Sequence, residues 1–216
     1  MKNLASRPQD LSHQYPQFPN KVTDLVKTYK IIPDKRVDEM LSWFHEVEDR
    51  HIDGSVSQKT WNTDPDAPVE ENDVNLKNKV AREVNPTPDD EIFTWISEIM
   101  NETYGRYLHE CPGPVEDLVF QNYSVRVYHP NEGKFTYHFD QYAGGAVTRL
   151  FAVIMYLNDV EEGGETEFPN HRLACKCEKG KVLIFPCNYL FPHQGNMPVS
   201  NPKYICTGFI NWSGSH

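Results

Sequence analysis

The 216-residue chain is poor in cysteine. It has five, at Cys111, Cys175, Cys177, Cys187 and Cys206. An odd, sparse set excludes the dense disulfide framework of a small secreted protein. Cys175-x-Cys177 with His171 nearby has the wrong spacing for a Cys-x2-Cys knuckle, and no second pair completes four ligands, so structural zinc is set aside. A reducing interior is the simpler reading. Long apolar runs are also missing. The longest, Leu150 to Leu157, falls far short of a membrane span. Met1 to Asn20 is polar and Pro-containing, without the apolar core of a signal peptide. These features lead us to expect a cytoplasmic protein with no membrane partner. Positive charge is in deficit, with 21 Lys and Arg against 31 Asp and Glu, a net charge of −10. No long basic run occurs, so a nucleic-acid partner is not expected, although a small basic pocket is compatible with an acidic total.

A chain of this length can fill one substantial core. Residues 1–20 are expected as a loose N-terminal arm and 21–216 as a single domain, with helical support over about 21–117 and a β core over about 118–216. Asp34 reads as an N-cap, followed by Val37, Met40, Leu41, Phe44 and Val47 at helical spacing. Residues 51–76 are acidic and Pro-broken, which predicts a long loop that is either simply solvated or a lid. Thr87-Pro88-Asp89-Asp90 predicts a second helix, with a capping Thr and Pro at the first helical position. Ile92, Trp95, Ile96, Ile99 and Tyr107 continue one apolar face of it. From Leu118 the period becomes strand-like, with candidate strands at 118–128, 134–140, 147–157, 165–168, 172–177, 181–186 and 203–212. Helices first and strands after give the α+β class, the β part closing as a sandwich or barrel.

His138-Phe-Asp140 carries the chemistry. Two metal-capable side chains one residue apart share a side of an extended strand, and His193 could close a facial triad from a distant strand. Two imidazoles and one carboxylate leave the opposite face of the metal open, which suits ferrous iron binding a cosubstrate together with dioxygen. A dicarboxylate cosubstrate would chelate the iron with one end and need a cation and hydroxyl donors for the other. Lys203 can supply the charge, and Tyr128, Tyr156 and Thr207 the hydroxyls. Read alone, each tyrosine is first a half-buried sheet aromatic, and Lys203 is equally a surface lysine.

The ordered motifs decide between these readings. Tyr128-x4-Gly133-x4-His138-x-Asp140 comes first, then Arg149-Leu-Phe-Ala-Val-Ile-Met-Tyr-Leu-Asn158-Asp-Val and Glu162-Gly-Gly-Glu-Thr-Glu-Phe-Pro169. Lys179-Gly-Lys-Val-Leu-Ile-Phe185 precedes His193, Pro198-Val199 and Lys203. This stretch, Tyr128 to Trp212, resembles the double-stranded β-helix (jelly-roll, cupin-like) core of the iron(II)- and 2-oxoglutarate-dependent dioxygenases, in particular the prolyl 4-hydroxylase branch. The resemblance implies His138, Asp140 and His193 as iron ligands. It implies Lys203 on the distal carboxylate of 2-oxoglutarate, assisted by Tyr128, with Tyr156 and Thr207 as second donors. It also implies substrate contacts from Arg149, Phe209 and Trp61, Trp61 lying where the family carries a mobile covering loop. Gly163-Gly164 would be a tight turn. Fe(II), 2-oxoglutarate and O2 follow as requirements, with ascorbate as an optional reductant.

Three departures fall where substrate contacts are expected. Ala152 stands where Thr is frequent, Phe209 where Trp is frequent, and Pro198-Val199 sits one residue later than in the animal collagen enzymes. The expected activity is hydroxylation of a C–H bond of prolyl residues in a peptide or protein, with release of succinate and CO2. Asp140 fills the position a halide would need, which favours hydroxylation over halogenation. The alternatives are the same chemistry on another amino acid or small molecule, a non-catalytic 2-oxoglutarate-binding module, and a zinc hydrolase. The sequence does not reveal the oligomeric state.

Overall fold

A computed structural model describes residues 21–54, 79–142 and 146–213. The arm expected at 1–20 and most of the expected loop, Trp61 included, lie outside the described residues. Among the described residues two α-helices, α1 (Asp34–Glu46) and α2 (Glu91–Glu110), accompany twelve strands. The strands are β1 (Lys27–Lys30), β2 (Ile52–Asp53), β3 (Lys79–Val80), β4 (Arg82–Val84), β5 (Leu118–Tyr128) and β6 (Lys134–His138), then β7 (Arg149–Tyr156), β8 (Thr166–Phe168), β9 (Leu173–Cys175), β10 (Lys181–Pro186), β11 (His193–Gly195) and β12 (Lys203–Trp212). A seven-stranded sheet runs β1-β10-β7-β12-β5-β4-β2, and a five-stranded sheet runs β3-β6-β11-β8-β9. This is the expected jelly-roll core with supporting helices.

The seven-stranded sheet is buried on both faces, so its central strands read as continuous apolar runs rather than alternating ones. Along β7, Phe151, Val153 and Met155 join a core with α1 and α2, while Ala152, Ile154 and Tyr156 join a second core between the sheets. The apolar stripes of the helices explain the first core. Val37, Met40 and Phe44 of α1, and Ile92, Ile96, Met100 and Tyr107 of α2, are buried. The second core encloses the cavity described below. Among the described residues no helix is long and apolar enough to cross a membrane.

Several boundaries differ from expectation. Pro33, extended at φ −61° and ψ 145°, takes the N-cap position, and Asp34 is the first helical residue of α1. Asp34 still places a carboxylate in the first turn, where the helix dipole favours it. Helix α2 begins at Glu91 rather than at Pro88. The Asp90 carboxylate accepts from the Thr87 amide (2.7 Å) and hydroxyl (2.9 Å), while the Asp90 amide donates to the Thr87 carbonyl (2.9 Å). Pro88 therefore sits inside a closed turn. The stretch expected as helical support also contributes β1 to β4. These strands are two to four residues long and lack an apolar stripe, and they form by extending existing ladders: β1 on β10, β4 on β5, β2 on β4, and β3 on β6. The expected loop at 51–76 thus starts with the paired strand β2. Gly163 and Gly164 both lie at φ +75°, and a side chain at Gly163 would run into the Met197 carbonyl. Their role is conformational, as expected.

Candidate metal centre and cosubstrate cavity

The ladder that joins β6 to β11 builds the centre. His193 opens β11 directly opposite His138, which closes β6. Asp140 lies just past the end of β6, where the Gln141 amide donates to the Cys187 carbonyl at 3.0 Å and ties the segment to the end of β10. His138 Nε2 is 3.6 Å from Asp140 Oδ1, and His193 Nε2 is 3.6 Å from Asp140 Oδ2. One ligand atom from each of the three residues lies within 4.8 Å of the others. Both Nδ1 atoms face backbone carbonyls, that of Thr136 at 2.7 Å and that of Phe191 at 3.2 Å. A carbonyl can only accept, so each Nδ1 carries the proton and each Nε2 presents a lone pair to the common centre. His138 Nε2 is buried with no hydrogen-bond partner. An orphaned imidazole nitrogen beside a carboxylate and a second imidazole is the donor set of a divalent transition metal with open positions, and the residues fit ferrous iron.

The surroundings tune these groups. Burial holds His193 down to about 4, with the charge of His138 acting in the same direction, so it stays neutral and ready to ligate. Burial alone would raise the Asp140 carboxyl. Attraction from His193 and His138, with Arg149 behind them, outweighs it and holds the group well below the usual carboxylate range. Phe135 stacks on His138 at 3.7 Å, and Phe185 meets His193 edge-on at 4.7 Å, so apolar rings fix both imidazoles.

The centre opens into a cavity that reaches Lys203. Lys203, only 2 % exposed, has no salt-bridge partner among the described residues, and its ammonium lies 5.5 Å from the Tyr128 ring and 5.9 Å from that of Tyr156. Desolvation lowers its pKa. Thr207 lines the same wall, and its hydroxyl is buried without a partner. A metal centre at one side and an unpaired cation in the wall, with an unspent hydroxyl nearby, match a chelating dicarboxylate. Residues 123–211 match the family model of the 2OG-Fe(II) oxygenase superfamily. Over that segment, which carries the site, the chain is similar to the 2OG-Fe(II) oxygenases.

Solved structures agree with the fold of this chain. A viral collagen prolyl hydroxylase of Paramecium Bursaria Chlorella virus-1, in complex with 2OG, superposes with a TM-score of 0.63 at 17% identity, over 87% of this chain and 95% of that one. A Pseudomonas putida prolyl-4-hydroxylase gives 0.64 at 15% identity, over 87% and 92%. A Trichoplax adhaerens prolyl hydroxylase, in complex with a hypoxia inducible factor peptide fragment, gives 0.61 at 13% identity, over 88% and 84%. No curated relative matches the chain by sequence.

The structure brings His138, Asp140, His193, Tyr128, Lys203, Thr207 and Phe209 to one cavity. Tyr156 is not in its lining. The Tyr156 hydroxyl donates to Thr166 Oγ1 at 2.8 Å, and Thr166 is the residue that reaches the wall. Arg149 is also outside the lining. Its guanidinium stacks on Phe209 at 3.8 Å and donates to the Asp140 carbonyl at 3.2 Å. Sequence reasoning missed Thr166 and Arg126, which also line the cavity. Arg126 was within reach of it, because it stands two residues before Tyr128 on the same strand and so shares its face.

Arg126 belongs to a buried ionic group. Glu83 Oε2 accepts from Arg126 Nε at 2.7 Å and also from Lys79. Burial would raise Glu83, but Arg126 and then Lys79 overcome that and keep it ionised. Lys79 is lowered from 10.5 to about 8 by burial, then by repulsion from Arg126. Native Lys79 therefore releases its proton before an unfolded lysine does. The folded state gains stability as pH rises from about 8 towards 10.5, and that gain is lost as pH falls through 8. In urea unfolding at about pH 7.5 and about pH 9.5, wild type should gain stability relative to Lys79→Met at the higher pH. A pH-independent difference would mean that Lys79 does not bear this cost.

Proposed function

We propose that the protein is an oxygenase that hydroxylates prolyl residues of a peptide or protein, consuming 2-oxoglutarate and O2 and releasing succinate and CO2. The carrying observation is the convergence of His138, Asp140 and His193 on a cavity whose wall holds the unpaired Lys203. In this reading those three residues hold Fe(II), within a single domain spanning 21–216. Iron bound by them would supply dioxygen activation coupled to decarboxylation of the cosubstrate. Lys203 takes the distal carboxylate, with Tyr128 and Thr207 as neighbouring donors. Phe135, Ile154 and Ile205 keep the cavity apolar and exclude water, which strengthens each charged contact inside it. Arg149 and Phe209, stacked beside Asp140, orient the substrate over the centre.

The prolyl substrate is supported by the likeness to the viral collagen prolyl hydroxylase and the Pseudomonas putida enzyme, and a peptide form by the peptide complex of the Trichoplax adhaerens enzyme. The five thiols, all buried and free, suit a reducing cytoplasm. The test is aerobic incubation with Fe(II), 2-oxoglutarate and a panel of proline-rich peptides, reading succinate and peptide mass. Succinate formed together with a gain of one oxygen on proline is expected. Oxygen gained only by a free amino acid would move the substrate to that class. Turnover without 2-oxoglutarate would overturn the reaction.

A further inference from the structure

Two cations line the cavity, and the reading above uses only one. Strand β5 turns Ser124, Arg126 and Tyr128 to the inner face, and the ladder to β12 sets them opposite Thr207, Ile205 and Lys203 respectively. Arg126 and Lys203 are therefore offset by one inward-facing step, roughly 6.8 Å along the strand. A five-carbon dicarboxylate, whose four carbon–carbon bonds of about 1.5 Å reach roughly 5 Å when extended, is of a size to lie between two side chains offset in this way. Among the described residues in the lining, Asp140 is the only carboxylate.

The charge of Arg126 is not fully spent. Glu83 is shared between Arg126 and Lys79, so one carboxylate serves two cations and the buried group carries a surplus positive charge. Buried charge without compensation is costly, and a ligand anion would relieve it. Glu83 engages the guanidinium at Nε, Tyr128 is a second hydrogen-bonding partner of it, and Arg126 itself borders the cavity. The position also discriminates between ligands. Along β12 the inward residues run Lys203, Ile205, Thr207, Phe209, and Arg149 stacks on the last of these, at the substrate end. Arg126 faces the second, in the cosubstrate half, and Ile205 opposite it offers no competing polar group.

We propose that Arg126 anchors the keto-proximal carboxylate of 2-oxoglutarate, complementing Lys203 at the distal one, and that Glu83 is the positioning residue that aims it. This inference rests on the 2-oxoglutarate reading and goes beyond it, in that the cavity selects a dianion with a cation for each end. An anionic substrate group is the competing occupant.

The test is calorimetric titration under anaerobic conditions, with Mn(II) as a redox-silent metal, of 2-oxoglutarate and of its distal amide, 2-oxoglutaramate. Arg126→Gln should weaken both ligands alike, roughly ten- to a hundredfold, and so preserve the wild-type preference for the dianion. Lys203→Met should weaken 2-oxoglutarate and erase that preference. Mn(II) affinity without cosubstrate should be unchanged in Arg126→Gln, which separates anchoring from damage to the metal centre. For Glu83, the Gln variant keeps an acceptor and should bind both ligands better than the Ala variant does. Wild-type 2-oxoglutarate affinity in Arg126→Gln overturns the proposal and points to a substrate anion. Loss of the preference would instead assign Arg126 to the distal end, which also overturns it. Should Arg126→Gln not fold, Arg126→Lys lacks the planar fork and should still weaken both ligands; undiminished binding there has the same meaning. A wild-type protein that binds no 2-oxoglutarate with metal present overturns the underlying reading as well.

Discussion

Asp140→Ala is expected to abolish 2-oxoglutarate-dependent turnover and tight Fe(II) binding. The carboxylate lies 3.6 Å from each imidazole Nε2 and is the only anion in the described lining of the cavity. Without it, two neutral imidazoles face a divalent cation in a site that already contains Lys203 and Arg126. Charge repulsion then adds to the missing bond. The loss should exceed the roughly ten- to hundredfold drop in metal affinity that follows removal of an outer hydrogen-bonding partner. Anaerobic metal titration and a succinate assay on the same preparation would check both parts. Wild-type turnover in this variant would sink the triad.

The second large effect should come from Lys203→Met, which keeps the shape of the stem and removes the charge. Losing one charge-assisted contact to a carboxylate costs about 1.5–3 kcal/mol, so the concentration of 2-oxoglutarate needed should rise roughly ten- to a hundredfold while metal affinity changes little. The same variant should unfold at a higher temperature without ligand. The buried ammonium has no salt-bridge partner among the described residues, and burial already depresses its pKa. Removing an uncompensated charge from the interior relieves that cost. A rise in unfolding midpoint paired with a loss of cosubstrate affinity is the outcome to look for. Unchanged 2-oxoglutarate affinity would place the distal cation elsewhere.

The parts of this molecule that were legible in the sequence are those whose side chains declare their surroundings. Strands β5, β10 and β12 match their expected bounds because apolar runs end at charged or turn residues. His138, Asp140 and His193 converge as expected because an ordered set of motifs carried their roles. Strands β1 to β4 and β11 were not legible. Each is two to four residues long, and each owes its conformation to a partner strand distant in sequence. The Tyr156 hydroxyl shows the same limit at the level of one atom. Its strand position could be read, but its commitment to Thr166 depends on β8 packing beside β7. The face of Arg126 could be read from its spacing to Tyr128, but its burial could not. A charged residue in a strand reads as surface until its counter-ion is known, and Glu83 comes from a strand that was itself unforeseen.

The pairing of His138 with His193 has a mechanical meaning too. Strands β6 and β11 share only two register pairs, interrupted by a bulge, and β11 is three residues long. An ion held by one imidazole from each strand would act as a clasp across this short seam of the smaller sheet. Metal loading would then be read as slower amide exchange in β11 as well as a higher unfolding temperature. Starved of metal, the protein would lose the fastening of that sheet together with its chemistry.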